Sequence, residues 1–374
     1  MPPLARRNLT HDPVRLAVTL TGIVFAVVLI VVELGLFVGF TVTTSSIIDR
    51  SNVDLWVVSK GTPYIEQGGL FSERKLYQAL ATPGVASAAK YIVHWAQWKT
   101  PSGADESVQV VGFDTTTGTG GPWNVVEGNL NDLKAPDSVM LDELYKSKLG
   151  VKRVGEVFEI NGRRARVVGF TRGIRAFTTT PYVFTNFKYA QGYAGVPEDQ
   201  TYFLLVRAVP HSDLKVLRHD LEARLRDVDV LPAADFSRMT RIYWMFTTGA
   251  GVAVLIAALL GLIVGVVVVA QTIYATTMDH IREYGTLKAM GAPNRYIYRV
   301  IVTQAGISAV AGYALAMVVS FFVVRASQSG GAAILMPWPM AVGIFFLTLL
   351  MCVVAALVSI SKVTSIDPAM VFKG

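Results

Sequence analysis

The sequence predicts an α-helical membrane protein with four transmembrane helices and one α+β extracytoplasmic domain of two subdomains. Four apolar runs are each long enough to cross a bilayer, which takes roughly 20 residues in a helix. Only 16% of the 374 residues are charged, whereas about a quarter are charged in ordinary soluble domains. Most of the charged residues lie in one long segment, residues 46–240, which separates the first run from the other three.

The first transmembrane helix is predicted over residues 16–45, after an amphipathic lead-in of residues 1–15. A signal peptide is the alternative, but this apolar stretch is too long for one, and no small-residue cleavage site follows it. Glu33 is the only acidic residue inside a predicted span. Acids in such positions often serve transport or proton transfer, although Glu33 could equally face a watery dimer cleft or a stalk partner.

Residues 46–240 are predicted to form the α+β domain, called the large domain below. They contain 23 Lys and Arg against 22 Asp and Glu, so the net charge of +7 comes mainly from residues beside the apolar runs. That distribution is typical of membrane topology and argues against nucleic-acid binding.

Alternating apolar and polar residues predict the strands of the large domain. The pair Asn161-Gly162 between two such runs is a strong hairpin signal, with strands at 157–160 and 163–170. Further strands are predicted at 55–59, 85–99, 106–113, 139–141, 202–208 and 228–231. Helices are predicted at 72–80, 142–149 and 212–226, with Ser72 and Ser212 as N-caps. Because a helix lies between strands in the second half of the segment as it does in the first half, we expect two subdomains.

The second apolar run is longer than a bilayer requires. From Arg241 to Thr277 only glycines tolerated in spans interrupt the helical pattern. A helix of that length measures about 55 Å, against a hydrocarbon core of roughly 30 Å. Residues 241–277 therefore predict a transmembrane helix that continues as a rigid stalk into the large domain. The third and fourth helices are predicted at 298–324 and 339–361, joined by a short outer loop at 325–338.

Orientation follows from positively charged residues, which favour the cytoplasmic side of a membrane. Such residues precede the first helix, lie in or beside the loop of residues 278–297, and follow the fourth helix (Arg6, Arg7, Arg15; Arg282, Lys288, Arg295, Arg299; Lys362, Lys373). We therefore expect a protein of the inner membrane with both termini, including the tail of residues 362–374, in the cytoplasm.

The loop between the second and third spans carries the most informative pattern, TMDHIREYGTLKAMGAPNRYIYR. Asp279 is placed to cap a short helix, in which apolar residues recur at every third position (Ile281, Tyr284, Leu287 and Met290). Gly291 can end that helix in the left-handed conformation, and Pro293 prevents its continuation. The pattern fits an ordinary interfacial connector or a docking helix that transmits force from a cytosolic motor.

The segment DHIREYGTLKAMGA, the four-helix topology and the position of the large domain resemble the FtsX/MacB superfamily of ABC transporter permeases. The segments ARRNLTHDPVRLAVTLTGIVFAVVLI, FSERKLYQALATPGV and SIDPAMVF are similar too, so the resemblance runs nearly from end to end. Within the superfamily the sequence is most similar to the DevC-type permease of the DevBCA glycolipid exporter. Gln304-Ala305 departs from the family pattern, which often has an acidic residue before this alanine.

The resemblance implies a MacB-like fold and a homodimeric permease that couples ATP hydrolysis by a separate ABC ATPase pair to export by mechanotransmission. It also implies a periplasmic membrane-fusion adaptor, an outer-membrane channel and a lipid-like cargo such as a glycolipid. The family's ATPase-coupling helix falls on Asp279, His280, Arg282, Glu283, Tyr284, Lys288, Met290, Gly291 and Ala292. Two alternatives stay open, an FtsX-like signalling protein that activates a cell-wall hydrolase and a lipoprotein-extraction permease.

The sequence offers no catalytic or cofactor site of its own. It lacks the GxxxxGK[ST] phosphate-binding motif, so we expect the partner ATPase to bind ATP and Mg²⁺. A GxSxG nucleophile motif is also missing. The five histidines are scattered, and His211 and His219 are too far apart along a helix for a zinc pair on one turn. We therefore expect neither an enzyme nor a metal site.

A basic segment in the large domain is the last candidate. Residues 146–175 hold nine Lys and Arg against two Glu. Such a segment is commonly a solvated face, but it can also be a contact surface for an acidic partner or for anionic headgroups. The candidate partner patch comprises Arg163, Arg164, Arg166, Arg172 and Arg175.

Overall fold

The computed structural model describes residues 13–279, 281–328, 330 and 333–364. The chain forms two compact units: a membrane unit of residues 1–39, 252–328 and 333–374, and a second unit of residues 40–251 with 329–332 that contains the large domain. Within the described residues, four helices are long and apolar enough to cross a membrane: Leu16–Thr44, Ala250–Asp279, Asn294–Ser327 and Trp338–Val358. The first of these begins at Pro13, and the fourth extends to Thr364.

The first and second spanning helices pack closely inside the membrane unit. A Cβ placed on Gly261 would lie 2.8 Å from Cγ of Glu33, and one on Gly265 would lie 3.0 Å from Cδ1 of Ile30. Glycines four residues apart let two helix backbones approach in this way. Near the other end of the pair, the hydroxyl groups of Thr19 and Thr276 are hydrogen-bonded at 2.9 Å.

A segment without regular secondary structure, residues 333–337, packs against the first spanning helix within the same unit. The Leu335 amide donates a hydrogen bond to the Gly35 carbonyl oxygen at 3.1 Å. One turn further along the helix, a Cβ on Gly39 would overlap the carbonyl oxygen of Ala333. Gly35 and Gly39 therefore form a groove that accepts non-helical backbone, which membrane proteins tolerate only where protein or water covers it.

The large domain contains twelve strands among its described residues. They are β1 Leu55–Ser59, β2 Phe71–Ser72, β3 Val85–Lys99, β4 Asp105–Phe113, β5 Val125–Glu127, β6 Ser138–Asp142, β7 Val157–Ile160, β8 Arg163–Thr171, β9 Tyr182–Asn186, β10 Gln200–Thr201, β11 Phe203–Ala208 and β12 Val228–Pro232. Ten of them form a sheet in the order β12-β1-β11-β3-β4-β9-β6-β8-β5, with β7 paired to β3 and β8. Strands β2 and β10 form a separate pair.

Strand β3 connects the two halves of this sheet. Its first half, up to Tyr91, pairs with β11, and its second half, from Ile92, pairs with β4. The large domain is therefore built on one continuous ten-stranded sheet, and its division into two subdomains stays a prediction. The predicted bounds of β1, β3 and β7 are confirmed. The hairpin turn is confirmed as well, since Asn161 and Gly162 adopt φ angles of 47° and 76°.

The helices of the large domain differ from the prediction in their bounds and caps. They are Ser46–Asp49, Lys75–Leu80, Lys146–Leu149, Phe187–Ala194, Leu214–Arg224 and Ala233–Ile242. The Leu214–Arg224 helix is capped by Asp213, whose carboxylate accepts from the Lys215 amide at 2.8 Å, so Ser212 as its cap was wrong. Ser72 lies in β2 instead of capping a helix. Strands β5 and β9 and the helix Phe187–Ala194 were not predicted.

The prediction of one uninterrupted helix from Arg241 to Thr277 was also wrong. The helix Ala233–Ile242 passes into a π-helical turn, Tyr243–Thr247, and the second spanning helix begins only at Ala250. Between them Gly249 adopts a φ of 74°, a conformation that glycine enters without steric cost. The Thr248 hydroxyl accepts a hydrogen bond from the Ala250 amide at 3.2 Å. The expected rigid stalk is thus broken where it joins the large domain.

Candidate coupling site

The short segment between the second and third spans forms a helix with a defined end. The second spanning helix ends at Asp279, the short helix is Ile281–Ala289, and the third spanning helix begins at Asn294. The Gly291 amide donates to the Lys288 carbonyl and the Ala292 amide to the Leu287 carbonyl, both at 3.0 Å. These are the two hydrogen bonds of a Schellman motif.

Two sequence predictions about this helix end are thereby confirmed. Gly291 adopts a φ of 89°, the left-handed conformation that the sequence predicted for it. Pro293 directly precedes the third spanning helix and separates the two helices. A chain fixed in this way cannot extend the short helix or merge it with the next span, so its exposed face keeps one orientation within the membrane unit.

The exposed residues of the segment differ in part from the prediction. Glu283 is exposed, and Leu287 is half-buried against the core of the membrane unit. Met290 was expected on the same apolar face, yet it is 71% exposed. It follows the last helical residue, Ala289, so the helical repeat no longer determines its direction. The segment therefore presents a charged and an apolar side chain to the surroundings.

The other predicted coupling residues lie before the short helix or within it. His280 lies outside the described residues, and for Arg282 and Tyr284 only the backbone is described, within the short helix. Asp279 was expected to cap that helix, but it is the last residue of the preceding spanning helix. Lys288 is half-buried.

Glu33 lies in the first spanning helix, half-buried, with its side-chain stem against Gly261 of the second. This contact gives Glu33 a packing role between the two helices. A role of its carboxyl group in transport stays a prediction.

The basic residues of the candidate partner patch do not form one surface. Arg172 pairs with the carboxylate of Glu143, and Arg175 is only 9% exposed. Arg164 and Arg166 lie two residues apart on β8, so their side chains point to the same face of the sheet. Both line an open cleft of about 550 Å³, which Asp132 and Asp137 line as well. Arg163 is exposed beside Gly192 of a neighbouring helix.

A further cluster, which the sequence did not predict, surrounds the π-helical turn at the end of the large domain. The indole N–H of Trp244 donates to Oε2 of Glu66 at 3.3 Å. The rings of Tyr64 and Tyr243 are stacked with centroids 3.9 Å apart. Loss of water around the carboxyl group raises the pKa of Glu66 to about 7, although the indole hydrogen bond acts in the opposite direction.

The loop between β8 and β9 completes this cluster through Phe177. Its ring centroid lies 4.4 Å from that of Trp244 and 5.3 Å from that of Phe40. Asp142 holds the start of the loop, since its carboxylate accepts from the Ile174 amide at 2.7 Å. We call the group of Phe40, Tyr64, Glu66, Phe177, Tyr243 and Trp244 the junction cluster. Only its Tyr243-Trp244 pair, just before an apolar run, gave a local sequence signal.

Comparison with known protein families identifies both parts of the chain. Residues 16–224 match the family described as the MacB-like periplasmic core domain, and residues 238–368 match the FtsX-like permease C-terminal family. An uncharacterized ABC transporter permease of Mycobacterium tuberculosis is 26% identical over 390 residues, covering 99% of each chain. One from Mycobacterium bovis is 24% identical over 365 residues, covering 96% of this chain and 95% of the relative.

Solved structures also show a limited likeness to this chain. The periplasmic region of MacB from Actinobacillus actinomycetemcomitans has a TM-score of 0.39 at 11% identity, covering 52% of this chain and 96% of that one. The extracellular domain of the noncanonic ABC-type transporter YknZ from Gram-positive bacteria has a TM-score of 0.37 at 12% identity, covering 48% and 98% respectively.

Four helices long and apolar enough to cross a membrane, a large α/β domain after the first of them and a short helix between the second and third form the architecture of an integral membrane protein. The chain belongs to the MacB/FtsX family of ABC transporter permeases, and it lies in the inner membrane. The closer similarity to DevC-type permeases stays a prediction.

Proposed function

We propose that the chain is the permease subunit of an export complex that works by mechanotransmission. In this proposal two copies of the chain form a homodimer, and a separate pair of ABC ATPase subunits binds and hydrolyses ATP. A periplasmic membrane-fusion adaptor and an outer-membrane channel receive the cargo, which is an amphiphile such as a glycolipid. The resemblance to DevC-type permeases supports the choice of cargo and partners.

The short helix Ile281–Ala289 is the observation that carries the proposal. It is fixed at its end by the Gly291 turn and lies between two spanning helices, so a force on it acts on both of them. Exposed Glu283 can pair with a cation of the ATPase, and exposed Met290 can enter an apolar groove, a role for which flexible methionine side chains are well suited. Leu287 anchors the helix to the core of the membrane unit.

The test uses the complex reconstituted in lipid with its ATPase. In Gly291→Trp, a side chain at a φ of 89° strains the turn by about 1–2 kcal/mol and reorients Met290. We expect cargo-dependent stimulation of ATP hydrolysis and export to fall at least tenfold, while the basal ATPase activity and the permease dimer remain. Glu283→Lys should weaken ATPase binding by charge reversal.

Gly61→Trp is the matched control, because Gly61 has a φ of 77° and, like Gly291, has no neighbouring atom within 4 Å of the position that a Cβ would occupy. It lies in the large domain and should leave both activities unchanged. Wild-type stimulation and export in Gly291→Trp would contradict the proposed coupling role.

A further inference from the structure

The break before the second spanning helix can act as a hinge. A π-helical turn is rare and is often found at functional sites, and here it is followed by Gly249 in the left-handed conformation. The Thr248 amide closes the turn on the Tyr243 carbonyl at 3.1 Å, and the next helix starts with its own cap. Because regular helical hydrogen bonding stops between Thr248 and Ala250, side-chain contacts around the π-helical turn contribute more to holding its conformation.

Those contacts come from two segments distant in sequence. Tyr64 and Glu66 flank and occupy a short 3₁₀ turn, Ile65–Gln67, and they engage Tyr243 and Trp244. From the β8–β9 loop, Phe177 packs on the same indole ring. Trp244 is therefore held between a carboxyl group and an aromatic ring that belong to separate parts of the large domain.

The surroundings of Glu66 favour an uncharged carboxyl group. In the part of the chain that the structure describes, the titratable groups that interact with Glu66 are the phenols of Tyr64, on its own segment, and Tyr182, on β9. Tyr243, on the π-helical turn, is stacked on Tyr64. Among the described residues, no salt bridge to Glu66 is found, whereas other acids of the large domain, such as Glu73 and Glu143, have a cation within 4 Å. A carboxylate that loses water without gaining a cation is destabilised.

We propose that Glu66 is a proton-operated latch on this hinge. With a neutral carboxyl group the junction cluster closes on Trp244 and holds the π-helical turn in one conformation. With a charged carboxylate the cluster opens, water reaches Glu66, and the break becomes mobile. The latch depends only on contacts within the unit of residues 40–251, so its test does not depend on the proposed export function.

The direction of the pH effect follows from proton linkage. In the closed state the pKa of Glu66 is raised to about 7, and in the open, hydrated state it returns to the usual carboxyl range of about 4.3. The closed state is therefore the one that binds the proton more tightly. Its advantage is complete below the usual carboxyl range and is lost as the pH rises through about 7.

Amide hydrogen exchange of the full chain in lipid nanodiscs tests the latch. The readout is the protection of the peptide that covers residues 243–251, corrected for the intrinsic effect of pH on exchange. Between pH 5.5 and 8.0 we expect protection to fall at least tenfold in the wild type. In Glu66→Gln, whose amide oxygen can still accept the indole hydrogen bond, protection should not change with pH.

Two further variants complete the experiment. Glu159→Gln alters an exposed carboxyl group on β7 and should keep the wild-type pH response. Trp244→Phe removes the N–H that favours the charged carboxylate while keeping an aromatic ring, so the transition should move to higher pH. If Glu66→Gln lowers protection throughout the large domain, that variant is misfolded, and the shift in Trp244→Phe becomes the test of the latch. A Trp244→Phe transition at the wild-type pH would then contradict the proposal. A pH-independent wild type, or the same transition in Glu66→Gln, would overturn the latch.

Discussion

At the scale of single residues, Gly39 shows how closely the membrane unit is packed. No side chain fits at this position, because a Cβ would overlap the carbonyl oxygen of Ala333. The alanine that helix propensity would favour in a spanning segment is therefore excluded by a contact with a distant part of the chain.

Gly39→Ala should destabilise the protein by about 1–3 kcal/mol, the usual cost of forcing an extra group into a packed site. Thermal unfolding in detergent, followed by the loss of ordered helix, measures the effect as a lower midpoint. Gly306→Ala is the control, since Gly306 lies in a spanning helix and a Cβ added there would have no atom within 4 Å, and it should be neutral or slightly stabilising. Equal midpoints for the two variants would refute the groove.

At the scale of elements, β8 determines which basic residues can act together. Its alternation places Arg164 and Arg166 on one face, lining the cleft, while Arg172 pairs with Glu143 after the strand ends. Only part of the basic segment is therefore free to bind a partner. Guanidinium groups suit carboxylates on such a partner, because they donate paired hydrogen bonds.

If the cleft docks the proposed adaptor, reversing both charges with Arg164→Glu and Arg166→Glu should weaken adaptor binding at least tenfold. Added salt should weaken the wild-type complex in the same way, because screening acts on exposed charges. The control carries the same charge change at exposed Lys215 and Arg226. Surface plasmon resonance measures the adaptor affinity. If neither the double charge reversal nor half-molar salt changes that affinity, the cleft is a solvated face and does not dock the adaptor.

The same scale shows what the sequence could predict. Strands β1, β3 and β7 and the 161–162 turn rest on local alternation and turn residues, so their predicted positions were confirmed. Strand β9 was missed although it lies inside the sheet between β4 and β6. Its five residues follow a run of threonines and Pro181. These residues are a stronger signal for a loop than the apolar pattern of so short a strand is for a strand.

The end of the short coupling helix could be predicted from the sequence, whereas the break before the second spanning helix could not. Gly291 and Pro293 end a helix by their own conformational preferences, so the sequence predicted that end correctly. Gly249 resembles any tolerated glycine of a spanning helix, and nothing local marks it as a break. Trp244 is held there by Glu66, 178 residues earlier in the chain, and a contact of that range has no local pattern.

At the scale of the whole molecule, topology determines which surfaces partners can reach. The positive charges predict that both termini and the segment around Pro293 are cytoplasmic and that the large domain is on the opposite side. The ATPase and the adaptor would then act on opposite faces of the membrane, which the proposed function requires.

Reporter fusions test this arrangement directly. Fusions after Arg7, at Pro293 and after Lys373 should be active as cytoplasmic reporters, and one at Gly118, in a loop of the large domain, should be active only as an extracytoplasmic reporter. Paired alkaline phosphatase and green fluorescent protein fusions give opposite signals at each site. A phosphatase-active fusion at Pro293 would rule out the four-helix arrangement.

The groove of Gly35 and Gly39 also has a consequence for biosynthesis. Its occupant, the segment that begins at Ala333, follows Gly39 by almost three hundred residues. At roughly 5–20 residues per second, the ribosome needs about 15–60 s to make that stretch. During this time the nascent first helix exposes two glycines and a backbone carbonyl that its own chain cannot yet cover. Insertion machinery or lipid must shield this face until the segment that begins at Ala333 emerges, so this part of the membrane unit can close only after that segment has been made.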